Sequence, residues 1–201
     1  MEAAALLPQQ LDLLTLAQWG ELPEDVQGEL VDGHLIEEEM PSFEHEAIVL
    51  FLASRLLAWL GDQGFVAVSG VKYAVAPQRG RLPDLTVFLP GGRVPPRRGV
   101  VTVAPDIAVE VVSPSLADQR RDRVEKLAEY AAFGIPYYWI VDLQLRTFEV
   151  FERGADGRYI HALGAASGIL TDVPGCTGLT LNLDVLWAQL DRLGPTTDEG
   201  A

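Results

Sequence analysis

The sequence lacks the features that mark secreted, disulfide-stabilised and membrane-spanning proteins. Its 201 residues include one cysteine, Cys176, which excludes an intrachain disulfide and suits a reducing compartment. No hydrophobic run approaches the roughly 18 residues that a membrane span requires, so no membrane partner is expected. The N-terminus lacks a basic cluster followed by a long apolar stretch, and a signal peptide is therefore not expected. Together these absences predict a cytoplasmic protein.

Positive charge is also scarce, and it is concentrated in one segment. The chain carries 15 Lys and Arg residues against 29 Asp and Glu residues, giving a formal net charge of −14. This balance argues against indiscriminate binding of nucleic acid, because phosphate contacts need cations. Ten of the basic residues nevertheless lie within residues 72–126, alongside only six acids. The segment fits an anionic substrate, and it fits solvated loops that carry arginine equally well.

The amount and the periodicity of the hydrophobic residues predict one globular domain. A hydrophobic content of 48% with 22% charged residues is ordinary for such a domain. Apolar periodicity, caps and turn signals predict, in order, a short helix at 16–19, a β-hairpin at 29–37, a helix at 43–60, strands near 65–75, 84–89 and 105–112, a helix near 117–133, a hairpin at 137–142 and 146–151, and short strands with a terminal helix over 158–190. This order predicts an α/β fold with a mixed central β-sheet flanked by helices.

Local signals predict where these elements begin and end. Thr15 and Ser42 are expected to cap the first two helices, and Gly134 is expected to end the third. Asp32-Gly33 is a typical type I′ turn between two strands. In the third helix, four apolar residues are expected to face the core: Val124, Leu127, Ala128 and Ala131. We expect residues 1–28 to form an N-terminal extension, 29–192 the folded domain and 193–201 a frayed tail.

Two acidic residues interrupt segments that otherwise resemble buried strands. Asp84 lies at the start of the apolar run 85–88, and Glu110 lies in the middle of the run 107–112. Leaving a carboxylate unpaired in such a position costs several kcal/mol in rough terms, unless a cation or a strong donor meets it. Lys126 follows on the predicted helix. Two acids on neighbouring strands with a lysine within reach predict a metal-dependent hydrolytic site.

Phosphodiester hydrolysis is the chemistry that fits this set of residues best. A divalent metal held by carboxylates activates water and stabilises the charge that develops on phosphate. Mg²⁺ prefers oxygen ligands and retains several waters, so Asp84, Glu110 and the Val111 carbonyl would suffice, and Mn²⁺ could replace it. Lys126 would orient or help deprotonate the attacking water and stabilise developing charge.

Each of these residues also has a purely structural explanation. Asp84 could simply end a loop, because Pro-Asp is a common dipeptide. Asp122 and Lys126 stand four residues apart on a helix and could form an ordinary surface pair. His45 is in line with apolar residues of its helix and could be a core histidine.

Several short motifs occur in a fixed order over about residues 29–152. They are Glu29-Leu30-Val31-Asp32-Gly33-His34-Leu35-Ile36-Glu37, Met40-Pro41 with His45, Pro83-Asp84, Glu110-Val111-Val112-Ser113-Pro114-Ser115, Asp122-Arg123 with Lys126 and Tyr130, and Gly134 with Tyr138-Trp139-Ile140-Val141-Asp142. In these motifs the sequence resembles the PD-(D/E)XK nuclease superfamily and, within it, the Uma two family of putative restriction endonucleases (domain of unknown function 820).

The resemblance assigns roles to the candidate residues. Asp84 and Glu110 match the metal-binding acids of the superfamily. The superfamily's usual lysine would fall at Val112, and the family pattern implies that Lys126 replaces it. Three acids compete for the acid of the superfamily's first motif, namely Glu37, Glu44 and Glu46, and His45 is expected near the site. Candidate phosphate contacts are Arg97, Arg120 and Arg121.

The resemblance implies a restriction-endonuclease-like single domain and a Mg²⁺-dependent DNA endonuclease. Single-domain nucleases of this kind cut both strands by pairing two protomers, so a homodimer is expected. Two other functions stay open. One is a catalytically degenerate nuclease fold that binds without turnover, and the other is a hydrolase of a small anionic substrate.

Overall fold

The computed structural model describes residues 13–23, 26, 28–37, 40–112, 115 and 119–194. Most of the predicted N-terminal extension and the end of the predicted tail therefore lie outside the described residues, as do Ser113, Pro114 and the expected start of the third helix. The helices are α1 (Leu16–Gly20), α2 (Phe43–Leu60), a π-helical segment (Arg121–Lys126) that continues into α3 (Leu127–Phe133), and α4 (Leu183–Asp191).

Twelve strands are formed by the described residues. In chain order they are β1 (Glu29–Val31), β2 (His34–Ile36), β3 (Phe65–Val68), β4 (Tyr73–Ala76), β5 (Arg79–Arg81), β6 (Leu85–Phe88), β7 (Ile107–Val112), β8 (Tyr137–Asp142), β9 (Thr147–Arg153), β10 (Tyr159–Ala165), β11 (Ile169–Leu170) and β12 (Leu181–Asn182).

The central sheet is mixed, as the sequence predicts. Its six strands lie in the order β10-β9-β8-β7-β6-β3. The neighbours β7 and β8 are parallel, and the other pairs are antiparallel. All six residues of β7 are buried, because α2 packs on one face of the sheet and Tyr130 of α3 packs with Ala108 and Val112 on the other. An acid in this strand therefore lies at the centre of the molecule.

The predicted local signals are confirmed where they can be checked. Thr15 accepts a hydrogen bond from Gln18 in a capping box, and Ser42 accepts one from the backbone of His45. The Asp32-Gly33 turn has positive φ angles of 51° and 83°, as a type I′ turn requires. These features depend on a few neighbouring residues, so a sequence pattern is enough to find them.

The single strand predicted near 65–75 is wrong, because the chain forms two strands in two different sheets. β3 is an edge strand of the central sheet, whereas β4 belongs to a four-stranded sheet ordered β2-β1-β5-β4. Gly70 adopts a φ of 88° between them, which lets the chain leave the first sheet. Strand β5 was not predicted, because its short Arg-Gly-Arg sequence has no apolar alternation.

The prediction of which residues of the third helix face the core is also wrong in part. Val124 and Ala128 are exposed, whereas Asp122, Lys126 and Tyr130 face the interior. The helix begins with π-helical turns, in which each residue bonds to the fifth along rather than the fourth. Asp122, Lys126 and Tyr130 stand four residues apart on one side of this helical region, and that side faces Glu110 of β7.

None of the helices in the described part of the chain is long and apolar enough to cross a membrane.

The small sheet is held against α1 by close contact between Gly80 and Trp19. A Cβ atom at Gly80 would lie 2.3 Å from Trp19 Cζ3, and the Trp19 ring is fully buried. We predict that Gly80→Ala lowers the free energy of unfolding by about 1–3 kcal/mol through overpacking. Gly194→Ala is the control, because its Cβ would meet nothing within 4 Å. Chemical denaturation of both variants measures the effect, and equal stabilities would contradict the prediction.

Candidate functional site

The structure brings together the two predicted acids and the predicted lysine. Asp84 directly precedes β6, and Glu110 lies on the neighbouring strand β7, where Leu85 pairs with Val109. The Val111 backbone N–H donates a hydrogen bond of 2.7 Å to Asp84 Oδ2, which fixes that carboxylate at the end of the strand pair. Lys126 is the last residue of the π-helical segment, and its ammonium group contacts Glu110.

Lys126 is buried among three carboxylates rather than exposed in a surface pair. Its Nζ atom lies 3.0 Å from Glu110 Oε2, 3.2 Å from Asp122 Oδ1 and 3.3 Å from Glu29 Oε1. Burial alone lowers the pKa of Lys126, but the three carboxylates raise it well above its usual range. Lys126 is therefore a fixed cation at neutral pH and not a proton acceptor.

Glu110 has the opposite electrostatic situation. It is buried, and its Oε1 accepts a hydrogen bond of 2.6 Å from the Tyr130 hydroxyl. Burial raises the pKa of Glu110 well above its ordinary value; Lys126 opposes this shift, and the charges of Asp84 and Asp122 add to it. A cation brought to this position would favour the ionised form of Glu110.

His45 completes one side of the acidic group. Its Nε2 atom lies 3.1 Å from Asp84 Oδ2, and its Nδ1 atom lies 3.4 Å from Glu46 Oε1. Burial by itself lowers the pKa of His45, but the hydrogen bond and charge of Asp84, together with Glu46, raise it above the ordinary value. His45 is thus a site residue in position and not an isolated core histidine.

Glu29 is a site residue that the sequence analysis did not single out. It lies on β1, is 1% exposed, and accepts hydrogen bonds from Arg81 Nη1 at 2.5 Å and from the Leu82 backbone at 3.2 Å. Arg81 is completely buried and also contacts Glu129 Oε2 at 2.6 Å. Burial raises the pKa of Glu29, but Lys126 and Arg81 lower it below its usual value overall. Glu29 therefore ties the lysine to the segment that carries Asp84.

One sequence signal could have identified Glu29. It begins an apolar strand and lies in the stretch that resembles the nuclease family, but its partner Arg81 is 52 residues away. The pairing depends on β1 lying beside β5, which no local pattern predicts.

The other predicted residues divide into those at the cleft and those away from it. Glu37 and Glu44 are exposed, and neither lines the cleft. Arg120 is also exposed outside the cleft, with its Nε atom 3.8 Å from Glu125. Residues that do line the cleft include Glu46, Arg97, Val111 and Arg121.

The acidic group lies in a cleft of about 1130 Å³. One wall comes from the β3–β4 connection, and another comes from the loop that contains Arg97 and Arg98. Both arginines are exposed, so cationic side chains border an acidic floor. This charge pattern suits a ligand that combines phosphate groups with a divalent cation.

The donor set fits Mg²⁺ better than a metal that requires a closed protein site. Within the described ranges, no group of three or more His, Cys, Asp or Glu side chains is arranged to hold a metal ion. Asp84 and Glu110 offer hard carboxylate oxygens beside the Val111 backbone. Mg²⁺ retains several waters and is commonly bound through one or two carboxylates together with substrate phosphates, so two acids are a donor set of the kind that this ion takes.

The family model "Putative restriction endonuclease", named Uma2, matches residues 11–184. The chain belongs to the Uma2 family. The fold is similar to the crystal structure of a "putative nuclease belonging to DUF820" from Anabaena variabilis ATCC 29413, with a TM-score of 0.69. The two chains are 19% identical over 88% of this chain and 99% of the other. No curated protein sequence matches the chain. The family and the fold agree with the restriction-endonuclease-like domain expected from the motifs.

We predict that Lys126→Met lowers the free energy of unfolding by about 3–5 kcal/mol near neutral pH, because buried carboxylates lose their shared cation. Without Lys126, the pKa values of Glu110 and Asp122 in the folded state lie further above those of the unfolded chain. The loss of unfolding free energy is therefore largest at a pH above the folded-state pKa values of these two acids. It becomes smaller as the pH falls and both acids take up protons. Denaturation between pH 4.5 and 8 measures it.

Arg120→Met is the matched control for this variant. It removes a cation of the same helical region from an exposed position, so its stability should stay within about 0.5 kcal/mol of the wild type. A Lys126→Met protein as stable as Arg120→Met at pH 8 would contradict the prediction.

The contact between His45 and Asp84 predicts a measurable titration. By NMR, the imidazole of His45 should titrate above pH 6.5, and the pKa should fall in Asp84→Asn. The stabilisation from the charged pair is complete below pH 6.5 and is lost as the pH rises through the folded-state pKa. A His45→Gln spectrum assigns the signal. An imidazole pKa that Asp84→Asn leaves unchanged would show that the pair does not form.

Proposed function

We propose that this protein is a Mg²⁺-dependent DNA endonuclease that hydrolyses phosphodiester bonds. The observation that carries the proposal is the convergence of Asp84, Glu110 and Lys126 at the floor of a cleft bordered by arginines. Membership of the Uma2 family supports the nuclease class.

Asp84 and Glu110 would hold the metal, with the Val111 carbonyl as a third oxygen, and Mn²⁺ would be accepted by the same ligands. A metal bound there supplies a Lewis acid and an acidified water. Asp84 is held in place by the Val111 N–H and by His45, so its carboxylate needs little reorganisation. Glu110 is held in the same way by Tyr130 and Lys126.

Lys126 acts in this proposal as a charge-stabilising residue. Its raised pKa keeps it protonated, which favours stabilising negative charge over deprotonating water. Glu29 and Asp122 hold its ammonium group in one position. A protonated His45 beside Asp84 adds a second positive charge at the cleft.

DNA is the proposed substrate because the cleft combines phosphate-binding and metal-binding chemistry. Arg97 and Arg121 lie at the cleft and are the proposed phosphate contacts, whereas Arg120 lies outside it and would meet only a long duplex. Because the chain has a net charge of −14, we expect DNA to approach on the side of the cleft where Arg97 and Arg121 lie. A homodimer is proposed because cutting both strands needs two such sites.

A catalytically degenerate binding protein is the second candidate. It is favoured by one observation, which is that the Lys126 ammonium group is occupied by three carboxylates. In that case Lys126 and its three carboxylates would serve to hold the π-helical segment and α3 against the central sheet.

We predict that Asp84→Asn and Glu110→Gln each reduce Mg²⁺-dependent cleavage of DNA by at least about a hundredfold. Both changes keep the shape of the side chain, so the variants should keep wild-type circular dichroism spectra. Isothermal titration calorimetry should show Mg²⁺ and Mn²⁺ binding to the wild type that both variants lose. The matched control is Asp62→Asn, an exposed acid outside the cleft, which should cut and bind as the wild type does.

Two outcomes would decide against the nuclease. Cleavage that persists in Glu110→Gln would exclude the assigned metal site. Wild-type protein that binds metal but cleaves neither single-stranded nor duplex DNA would favour the degenerate binding protein.

A further inference from the structure

Helix α2 presents an apolar stripe to solvent on the side that faces away from the core. Phe43, Leu50 and Leu57 are 76%, 70% and 50% exposed. They lie seven residues apart, so successive members stand nearly above one another on the helix. Large exposed side chains in such a row indicate an interaction surface rather than scattered surface hydrophobics.

Small residues alternate with the large ones along this stripe. Ala47 and Ser54 lie between them, so successive residues of the stripe are separated alternately by four and three positions. This is the heptad spacing of a helix-pairing seam. Small residues at alternate seam positions let two helices approach closely, while the large ones fill the space beside them.

We propose that α2 pairs in antiparallel orientation with α2 of a second copy of this chain, with Leu50 at the two-fold axis. Under that symmetry Leu50 meets Leu50 of the second copy, and Phe43 meets Leu57 on both sides of the axis. Ala47 then meets Ser54, so small residues face small residues. The stripe is therefore complementary to itself, as an isologous interface requires.

The charges beside the stripe favour the same arrangement. At about 100° per residue, Glu44 and Arg55 lie on the same flank of the helix. In an antiparallel pair related by a two-fold axis, the same flank of each helix lies beside that flank of the other. Glu44 then lies level with Arg55 of the second copy, and the symmetry forms this Glu–Arg pair twice. Both side chains are exposed, and the Arg55 guanidinium lies 4.9 Å from the Phe51 ring centre, which holds it at this surface. Antiparallel pairing also aligns the helix dipoles favourably.

The pairing deepens the proposed nuclease function, and its role in cutting two strands rests on that function. His45 and Glu46 lie in the first turn of the same helix and line the cleft. One helix thus carries cleft residues and the seam, so pairing would hold two clefts in a defined relation.

Crosslinking at the two-fold axis is the first test. Leu50→Cys should form a covalent dimer on mild oxidation, because only a residue at the axis meets its own copy closely enough for a disulfide. Leu145→Cys is the matched control, since Leu145 is 63% exposed in a turn away from α2. The native Cys176 is buried and should not compete. A Leu50→Cys protein that crosslinks no more than Leu145→Cys overturns the proposal.

Sedimentation equilibrium with charge variants is the second test. Leu50→Glu should shift the wild-type dimer to monomer, whereas Leu145→Glu should not. Glu44→Arg and Arg55→Glu should each weaken the dimer about fivefold or more, and the double variant should regain wild-type affinity. Absence of this rescue overturns the antiparallel register.

A stripe that is covered by something other than a second copy would give different results in these two experiments. A wild-type monomer, with the stripe covered by residues of its own chain, overturns the proposal, as does a dimer that Leu50→Glu leaves intact. These measurements need no cleavage assay. An inactive protein that crosslinks at Leu50→Cys would therefore refute the nuclease but not the interface, and an active monomer would do the reverse.

Discussion

Burying a charged lysine away from water costs several kcal/mol unless carboxylates surround it closely, and this constraint decides the arrangement around Lys126. The three acids that meet it come from β1, β7 and the π-helical segment. Arg81 extends the network to Glu129 on α3. The ion pairs thus join the four-stranded sheet, the central sheet and the helix, so loss of the shared Lys126 cation would disturb the acids of the cleft and the packing of the fold together.

The same network gathers four carboxylates near one buried lysine. Lys126 is shared by Glu29, Glu110 and Asp122, and Asp84 adds another carboxylate beside them. Burial is the main cause of the raised pKa of Glu110, and the charges of Asp84, Asp122 and Glu29 add to it against the opposing effect of Lys126. A divalent cation held by Asp84 and Glu110, as proposed, would favour the ionised carboxylates, which is an electrostatic reason for the proposed metal site.

Sequence reasoning found the parts of the site that depend on local pattern. Asp84 and Glu110 were identifiable because each interrupts an apolar strand, and burial of such acids requires compensation. Glu29 was not, because its role depends on Arg81, which reaches it only when β1 pairs with β5. Val124 and Ala128 were expected to face the core because they are apolar, but the side that carries Asp122, Lys126 and Tyr130 is buried instead. That burial is possible because Glu29 and Glu110, from two distant strands, meet the charge of Lys126. Nonlocal pairings therefore account for what was missed.

Helix α2 links the chemistry of the cleft to the solvent-exposed side of the protein. Its buried face packs on β7, its first turn supplies His45, and its outer face carries the Leu50 stripe. An exposed apolar stripe of this kind is typical of an interaction surface. In the proposed dimer, the α2 pair would hold the arginines of two clefts in a fixed relation. The proposed nuclease could then act on both strands of DNA, which one cleft of a strongly acidic monomer would reach less readily.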